Sequence, residues 1–140
     1  MRLASWITLS GIEPMNVEQS TVVIGLVGPC GSGKSTLQAG LARHGIPSRH
    51  IAQEHSYVKD MWQRISHPDI LIYLGASYAV ATRRRSLNWT NEEYLEQLRR
   101  LEHARQHADL YIDSDDHTPE EILILVLDFL EKNGSAINVR

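Results

Sequence analysis

The sequence predicts an α/β domain in which helices flank a small, mainly parallel sheet of about four strands. Short runs rich in Val, Ile and Leu alternate with stretches whose apolar residues recur at helical spacing, and this alternation is typical of parallel sheets built from βα units. The first run, VVIGLV at residues 22–27, lacks the polar alternation of a half-exposed strand. We therefore expect it to be covered on both faces and internal, with the strands ordered 2-1-3-4 along the chain numbering.

The first helix is predicted over residues 34–44, where apolar residues lie one turn apart and Gly45 supplies a stop signal. A short second strand is expected at residues 49–53. No further strand is expected between residues 53 and 69, because this segment is brief and its apolar residues follow a helical period.

That segment is predicted to form a helix capped by Ser56 and closed by the sequence HPD at residues 67–69. Its apolar stripe is expected to pack into the core. The stripe consists of Val58, Met61, Trp62 and Ile65. A third strand at residues 70–74 follows, and then one or two helical turns that run into the arginines at 83–85.

Capping signals mark the last two helices. Thr90 and Glu93 form a capping box for a helix through Ala108. The sequence TPEE supplies an N-cap, a proline at the first helical position and a glutamate at the third, for a helix that stops at Asn133. Between these helices, LYID at residues 110–113 predicts the fourth strand.

The sequence GPCGSGKST lies directly after the first strand and satisfies the pattern G-x-x-x-x-G-K-[ST]. Its glycines let the backbone wrap around phosphate, and its amides and the following helix start attract negative charge. Lys34 is expected in an open site where it reaches the outer phosphates, so that Lys34→Ala leaves the fold intact, and Ser35 can ligate Mg²⁺. The predicted fold is therefore a three-layer P-loop NTPase. The predicted phosphate-binding residues are Gly28, Pro29, Cys30, Gly31, Ser32, Gly33, Lys34, Ser35 and Thr36.

Composition limits the remaining possibilities. The 140 residues, 42% of them hydrophobic, suit one domain, which we assign to residues 20–134 with tails at 1–19 and 135–140. A formal net charge of -3 without a basic block gives no reason to expect nucleic acid or a membrane surface as partner. The single cysteine excludes an internal disulfide, and the opening residues make a poor signal peptide, so a cytoplasmic location is expected.

Over most of residues 22–132 the chain resembles the P-loop kinases of nucleoside monophosphates and related small molecules, thymidylate kinase among them. Besides GPCGSGKST, the similar parts are PDILIYLGAS followed by TRRR, which resembles the penultimate strand and arginine-bearing lid, and DLYIDSDDHTPEEI, which resembles the last strand and nucleobase-side loop. The resemblance implies binding of ATP or another nucleoside triphosphate with Mg²⁺. It also implies that Arg83, Arg84 and Arg85 are candidates for contacting the transferring phosphate, although consecutive helical arginines point in different directions and at most two can face a nucleotide.

The chain also departs from that family. It lacks the usual acceptor-binding region and a strand ending in a Walker B acid, and Gly75 stands where the family commonly has an aspartate. Asp69 starts its strand and is expected to be a turn residue, away from the phosphate edge. Glu54 follows the second strand and could hold Mg²⁺ through water or orient an acceptor, or it could be a surface or capping glutamate. The candidate catalytic residues are Lys34, Arg83, Arg84 and Glu54, and the candidate metal ligands are Ser35 and Glu54.

The histidines offer weaker candidates. His50 and His55 flank Glu54 and could act as bases, although polar surface residues are the ordinary alternative. His103 and His107 are spaced i, i+4 and could share a metal ion, but no third ligand lies near them in the sequence, and a solvated helix face is the expected explanation.

Cys30 and two tryptophans also need assignment. The loop around Cys30 can lower the pKa of a thiol, or Cys30 simply fits there as a small side chain. Trp62 belongs to an apolar stripe, whereas Trp89 follows the arginines and could stack on a base.

These features favour a minimal kinase that transfers a phosphoryl group from a nucleoside triphosphate to a small acceptor. The alternatives are a regulatory module that hydrolyses ATP or GTP slowly and has a protein partner, and a P-loop remnant without turnover.

Overall fold

The computed structural model describes residues 22–133 and contains a four-stranded sheet with the order β2-β1-β3-β4. Its strands are β1 (Ile24–Val27), β2 (Arg49–His50), β3 (Ile70–Gly75) and β4 (Leu110–Asp113). Every neighbouring pair is parallel. The predicted α/β class, the internal position of the first strand and the strand order are confirmed. The tails predicted at residues 1–19 and 135–140 lie outside the described residues.

Five helices flank the sheet within the described residues. They are α1 (Lys34–Arg43), α2 (Met61–Ser66), α3 (Tyr78–Arg85), α4 (Asn91–His107) and α5 (Pro119–Lys132), with 3₁₀ turns at Gln53–His55 and Ser114–Asp116. Reciprocal hydrogen bonds cap α4 through Thr90 and Glu93 and α5 through Thr118 and Glu121. The capping signals in the sequence therefore fixed these two helix starts. In residues 22–133 no helix combines the length and apolar character needed to cross a membrane.

Alternating side chains of the central strands face two separate cores. Leu26, Ile72 and Ile112 point to one side and pack with buried residues of α1 and α5. Val27 and Leu71 belong to the other side, which includes residues of α2 and α4. Because both faces of the sheet are covered by helices, the domain has three layers.

The structure differs from the prediction between residues 49 and 60. The second strand ends at His50, and the helix predicted from Ser56 begins at Met61. Ser56 instead accepts a hydrogen bond from the backbone N–H of Val58 at 3.0 Å, which closes a short turn. The helix prediction was wrong here because the side chain of Ser56 stabilises a local turn in place of a helix start.

A buried glutamine organises this turn. The Gln53 side chain accepts a hydrogen bond from the backbone N–H of Trp62 at 2.8 Å and donates to the carbonyls of Val58 at 2.8 Å and Arg100 at 3.2 Å. Of the predicted apolar stripe, Trp62 is buried, whereas Val58 is 49% and Ile65 69% exposed. The side-chain amide thus bonds the Trp62 N–H and the Val58 carbonyl, which a longer helix would have paired with each other.

Candidate nucleotide-binding site

The loop between β1 and α1 lies at the carboxyl edge of the sheet. Gly31 has φ +83°, and a Cβ atom there would lie 2.6 Å from the carbonyl oxygen of Ala81, so the loop backbone packs directly on α3. Gly33 is the N-cap of α1 with φ 103°, no side chain of the described residues caps this helix, and its first turn has no acidic residue. The N-terminal amides of α1 are therefore left for an external anion.

Lys34 does not lie in open space, contrary to expectation. It is 4% exposed, and its ammonium group donates to the carbonyls of Gly28 and Pro29 and to a carboxylate oxygen of Glu54 at 3.0 Å. Burial lowers the pKa of Lys34, and the charge of Glu54 opposes that shift. The ammonium group is held inside its own loop by three oxygen acceptors.

Glu54 lies beside the loop because the 3₁₀ turn after β2 directs it there. The side chain is buried, its Oε2 pairs with Lys34, and its Oε1 has no hydrogen-bond partner in the described part of the chain. Arg100 donates to the Glu54 carbonyl at 3.3 Å and ties the turn to α4. A buried carboxylate oxygen without a partner costs about 1–3 kcal/mol, so this atom is suited to an incoming water or ligand.

Arg84 connects α3 to two other parts of the site. It donates to the carbonyl of Gly31 at 3.3 Å, to the Ser114 hydroxyl at 2.9 Å and to the Ser114 carbonyl at 2.8 Å. The Ser114 hydroxyl in turn donates to the carbonyl of Gly75 at 2.7 Å. Arg84 and Arg85 border the cavity above the loop, and Arg83 does not. The side chains of the three arginines therefore point in different directions, as helical geometry requires.

Two adjoining cavities share the loop as their floor. The larger is about 530 Å³ and extends from the loop to the turn after β2; besides residues 30–36 it is lined by His50, Ala52, Glu54, His55, Arg84, Arg85 and Pro119. The smaller is about 110 Å³ and is lined by Ser32, Gly33, Thr36, Leu37, Arg84, His117, Pro119 and Ile122. The two cavities share Arg84, Pro119 and part of the loop as lining, and we refer to them together as the cleft.

Asp69 and Gly75 lie at opposite ends of β3, as expected from the sequence. Asp69 accepts a hydrogen bond from the backbone N–H of Val23 at 2.8 Å, at the opposite end of the strands from the loop. At Gly75 a Cβ atom would lie 2.6 Å from the hydroxyl oxygen of Tyr111. The aromatic side chain of β4 therefore covers the position where the resembled kinases commonly carry an aspartate.

The histidines fall into two groups. His50 and His55 line the larger cavity, and partial desolvation and then the charge of Lys34 lower the pKa of His50. His103 accepts a hydrogen bond from the Trp62 indole at 3.1 Å in the tautomer that leaves its Nδ1 unprotonated, and it stacks on His107. This pair packs against the core through Trp62 and gains no third ligand within residues 22–133.

Trp89 packs between α3 and α4 rather than facing the cleft. Its indole donates to the Thr82 hydroxyl at 2.6 Å and packs against Tyr78 and Tyr94. It lines neither of the two cavities at the loop. The aromatic cluster therefore joins α3 to α4.

Sequence reasoning missed Gln97, Ser114 and His117. Gln97 is a buried polar residue on α4 that bonds both the backbone and the thiol of Cys30. Ser114 lies in the short DSDD segment, whose small hydroxyl residue after a strand was the available signal. His117 was part of the segment resembling a nucleobase-side loop, but nothing in the sequence distinguished it from its neighbours.

Comparison with known proteins supports the fold. No protein-family model matches the chain, and no curated protein sequence matches it. Among solved structures, the shikimate kinase from Aquifex aeolicus vf5 superposes with a TM-score of 0.54 at 15% identity, covering 80% of this chain and 98% of that one. The chain therefore shares the fold of this solved kinase structure. This match does not support the nucleoside monophosphate kinase subtype that the sequence resemblance implied.

Proposed function

We propose that the protein binds a nucleoside triphosphate, ATP in the first instance, with Mg²⁺ and transfers its terminal phosphoryl group to a small acceptor. The observation that carries the proposal is the complete GPCGSGKST loop at the carboxyl edge of the sheet of a P-loop kinase fold. Uncapped helix amides, positive-φ glycines and a buried lysine meet there. This combination suits polyphosphate.

The triphosphate would lie along the loop, with its outer phosphates replacing the carbonyls of Gly28 and Pro29 around Lys34. The base and sugar would extend toward the smaller cavity. Its apolar wall comes from Leu37, Pro119 and Ile122, and Arg84 and His117 add polar groups. A mainly apolar pocket with a few polar groups is the usual form of a ligand site.

Mg²⁺ fits the oxygen groups at the loop. Ser35 is exposed at the start of α1 and borders the same cavity as Glu54, whose Oε1 is buried and without a hydrogen-bond partner among residues 22–133. Ser35 would bind the ion directly and Glu54 through water, because Mg²⁺ keeps several waters and uses few protein oxygens. When bound, the ion would neutralise charge on the phosphate oxygens.

The acceptor would occupy the part of the larger cavity near the turn after β2. His50, Ala52 and His55 border this region beyond Lys34, and Arg85 borders it on the lid side. Phosphoryl transfer depends on alignment and positioned charge more than on a strong base. Lys34 and the lid arginines Arg84 and Arg85 would stabilise the charge on the transferring group.

An acceptor-dependent assay tests this function. ADP release from Mg²⁺–ATP is measured alone and with a panel of small hydroxyl compounds, beginning with shikimate because of the structural neighbour. The proposal predicts that at least one acceptor increases ADP release and that Lys34→Met abolishes the increase. Nucleotide binding without any acceptor-dependent turnover across the panel would contradict the kinase assignment.

A nucleotide-binding regulatory module is the second candidate, and the Lys34–Glu54 ion pair favours it. Phosphates that draw Lys34 away from Glu54 would change the charge balance of the turn after β2, which α4 also contacts. Such a module should bind ATP and ADP with different affinities and hydrolyse ATP slowly without an acceptor. A catalytically inert remnant would bind nucleotide with no turnover under either condition.

A further inference from the structure

We propose that Cys30, Glu54 and His55 form a binding site for a divalent ion of the zinc class. The Cys30 Sγ lies 3.5 Å from the His55 Nε2, and that nitrogen lies 3.8 Å from the Glu54 Oε2. One ligand atom from each residue falls within 4.8 Å of the others. Nucleotide binding uses neither the thiol nor this imidazole, so the site goes beyond the proposed kinase function.

Two of the three spacings lie close to those of tetrahedral coordination. Zinc bonds of about 2.3 Å to sulfur and about 2.0–2.2 Å to nitrogen and oxygen put neighbouring ligand atoms roughly 3.4–3.6 Å apart. The observed separation of 3.5 Å between sulfur and nitrogen is already within that range. The nitrogen–oxygen separation of 3.8 Å closes with a small rotation of the exposed His55 side chain.

The ligand types distinguish this ion from the Mg²⁺ of the nucleotide. Thiolate and imidazole favour zinc and neighbouring transition metals, whereas Mg²⁺ requires oxygen ligands. The three side chains border the larger cavity, so a fourth coordination position would face the cleft. Three protein ligands with one open position describe an accessible zinc site rather than a closed structural one.

Two further observations concern the ligands of this cluster. The Oε1 atom of Glu54 is buried and has no hydrogen-bond partner in the described residues, so the carboxylate could bind this ion through Oε2 and still accept a hydrogen bond from a Mg²⁺-bound water at Oε1. Gln97 holds Cys30 from two directions, accepting from its backbone N–H at 3.0 Å and donating to its sulfur at 3.3 Å. A donor on the sulfur orients a thiolate and stabilises its charge, as supporting residues do around bound metals.

The ion would also change the surroundings of Lys34. Without it, the Lys34 ammonium balances the buried Glu54 carboxylate. A divalent ion that binds Glu54 and the Cys30 thiolate would supply that balance itself and release Lys34 toward phosphate. It would also join the loop to the turn after β2, because Cys30 belongs to the first and the other two ligands to the second.

Cobalt titration tests the site directly, because Cys30 is the single cysteine of the chain. A thiolate-to-cobalt charge-transfer band in the full-length protein, kept reduced and nucleotide-free, reports on Cys30 alone. We expect one cobalt ion per chain, displacement by Zn²⁺, and loss of the band in Cys30→Ser. His55→Gln should weaken cobalt binding at least about tenfold.

His107→Gln is the matched control, because it disrupts the other histidine pair and leaves the cluster intact. It should keep the band and the affinity of the wild type. The proposal is overturned if the wild-type protein gives no charge-transfer band, if His107→Gln weakens binding as much as His55→Gln, or if one ion binds per two chains. The wild-type spectrum decides the matter even if a variant fails to fold.

Discussion

The ammonium nitrogen of Lys34 lies 3.0 Å from a carboxylate oxygen of Glu54, and only 4% of each side chain is exposed. This ion pair links the loop after β1 to the turn after β2, two segments whose paired residues are twenty positions apart in the chain. Buried charges are expensive unless paired, so each residue holds the other in place. The same contact places a carboxylate oxygen of Glu54 next to the loop. At the end of β3, where the resembled kinases commonly carry an aspartate, this chain has Gly75.

A double-mutant cycle should detect this coupling in the nucleotide-free protein. Lys34→Met and Glu54→Gln should each lower the free energy of unfolding by about 3 kcal/mol, because each leaves a buried group without its partner. The double variant should lose less than the sum, with a coupling energy of about 1–3 kcal/mol. Urea denaturation at neutral pH measures all four proteins, and effects that add within about 0.5 kcal/mol would show that the pair is not coupled.

Glu54→Gln should also lower Mg²⁺-dependent turnover. A carboxylate that orients the ion's waters contributes transition-state stabilisation, and about 1.4 kcal/mol lost slows the reaction tenfold. Rates are compared across a Mg²⁺ titration, with Glu102→Gln as the control because Glu102 is exposed and pairs with Arg105 on α4. Acceptor-free hydrolysis that is fast and unchanged in Glu54→Gln would assign the metal-orienting role to another residue.

Gly31→Ala should damage the loop more than Gly45→Ala. Both glycines have positive φ, 83° and 75°, so alanine is strained at each. Of these two positions, only at 31 would the new Cβ meet backbone, 2.6 Å from the Ala81 carbonyl oxygen; at position 45 no atom of the described part of the chain lies within 4 Å. We expect about 1 kcal/mol of lost stability at Gly45 and more at Gly31, together with weaker ATP binding for Gly31→Ala alone. Equal losses in stability and unchanged ATP binding would mean that the loop does not pack on α3 as described.

Arg84→Lys should lower the rate of phosphoryl transfer by at least about tenfold, or 1.4 kcal/mol. A lysine has a single nitrogen in place of the two guanidinium nitrogens that reach the Gly31 carbonyl and the two oxygens of Ser114, so the alignment of α3 with the loop is lost. Arg83→Lys should have a smaller effect, because Arg83 does not border the cavity. The rates kcat and kcat/KM of the two variants are compared with the wild type, and a larger loss in Arg83→Lys would reverse the assignment of the arginines.

Local signals made most of the fold predictable. The apolar run at 22–27 predicted a strand covered on both faces, and its central residues Gly25 and Leu26 pair with strands on both sides. The capping boxes at Thr90 and Thr118 fixed their helices because the hydrogen bonds involved span three residues. The turn after β2 was not predictable in this way, because Gln53 bonds to Arg100, 47 positions away.

The site was predictable as a motif but not as a set of contacts. The loop pattern predicted that Lys34 lies at the carboxyl edge of the sheet. The position of Glu54 after a neighbouring strand suggested that Glu54 approaches the same edge. That the two side chains are buried against each other depends on the early end of β2 at His50. Which of the three arginines bonds to Ser114 could not be predicted from the sequence. Ser114 follows β4, and only the folded sheet brings it close to Arg84.

Calorimetric titration with Mg²⁺–ATP tests the central claim most directly. The wild-type protein should bind one nucleotide per chain, and Lys34→Met, verified as folded, should bind it at least about tenfold more weakly, a loss of about 1.4 kcal/mol. Lys132→Met is the control, because this exposed lysine pairs with Asp128 on α5 and should leave binding unchanged. Equal affinity of the wild type and Lys34→Met in matched salt would show that the loop is not the nucleotide site.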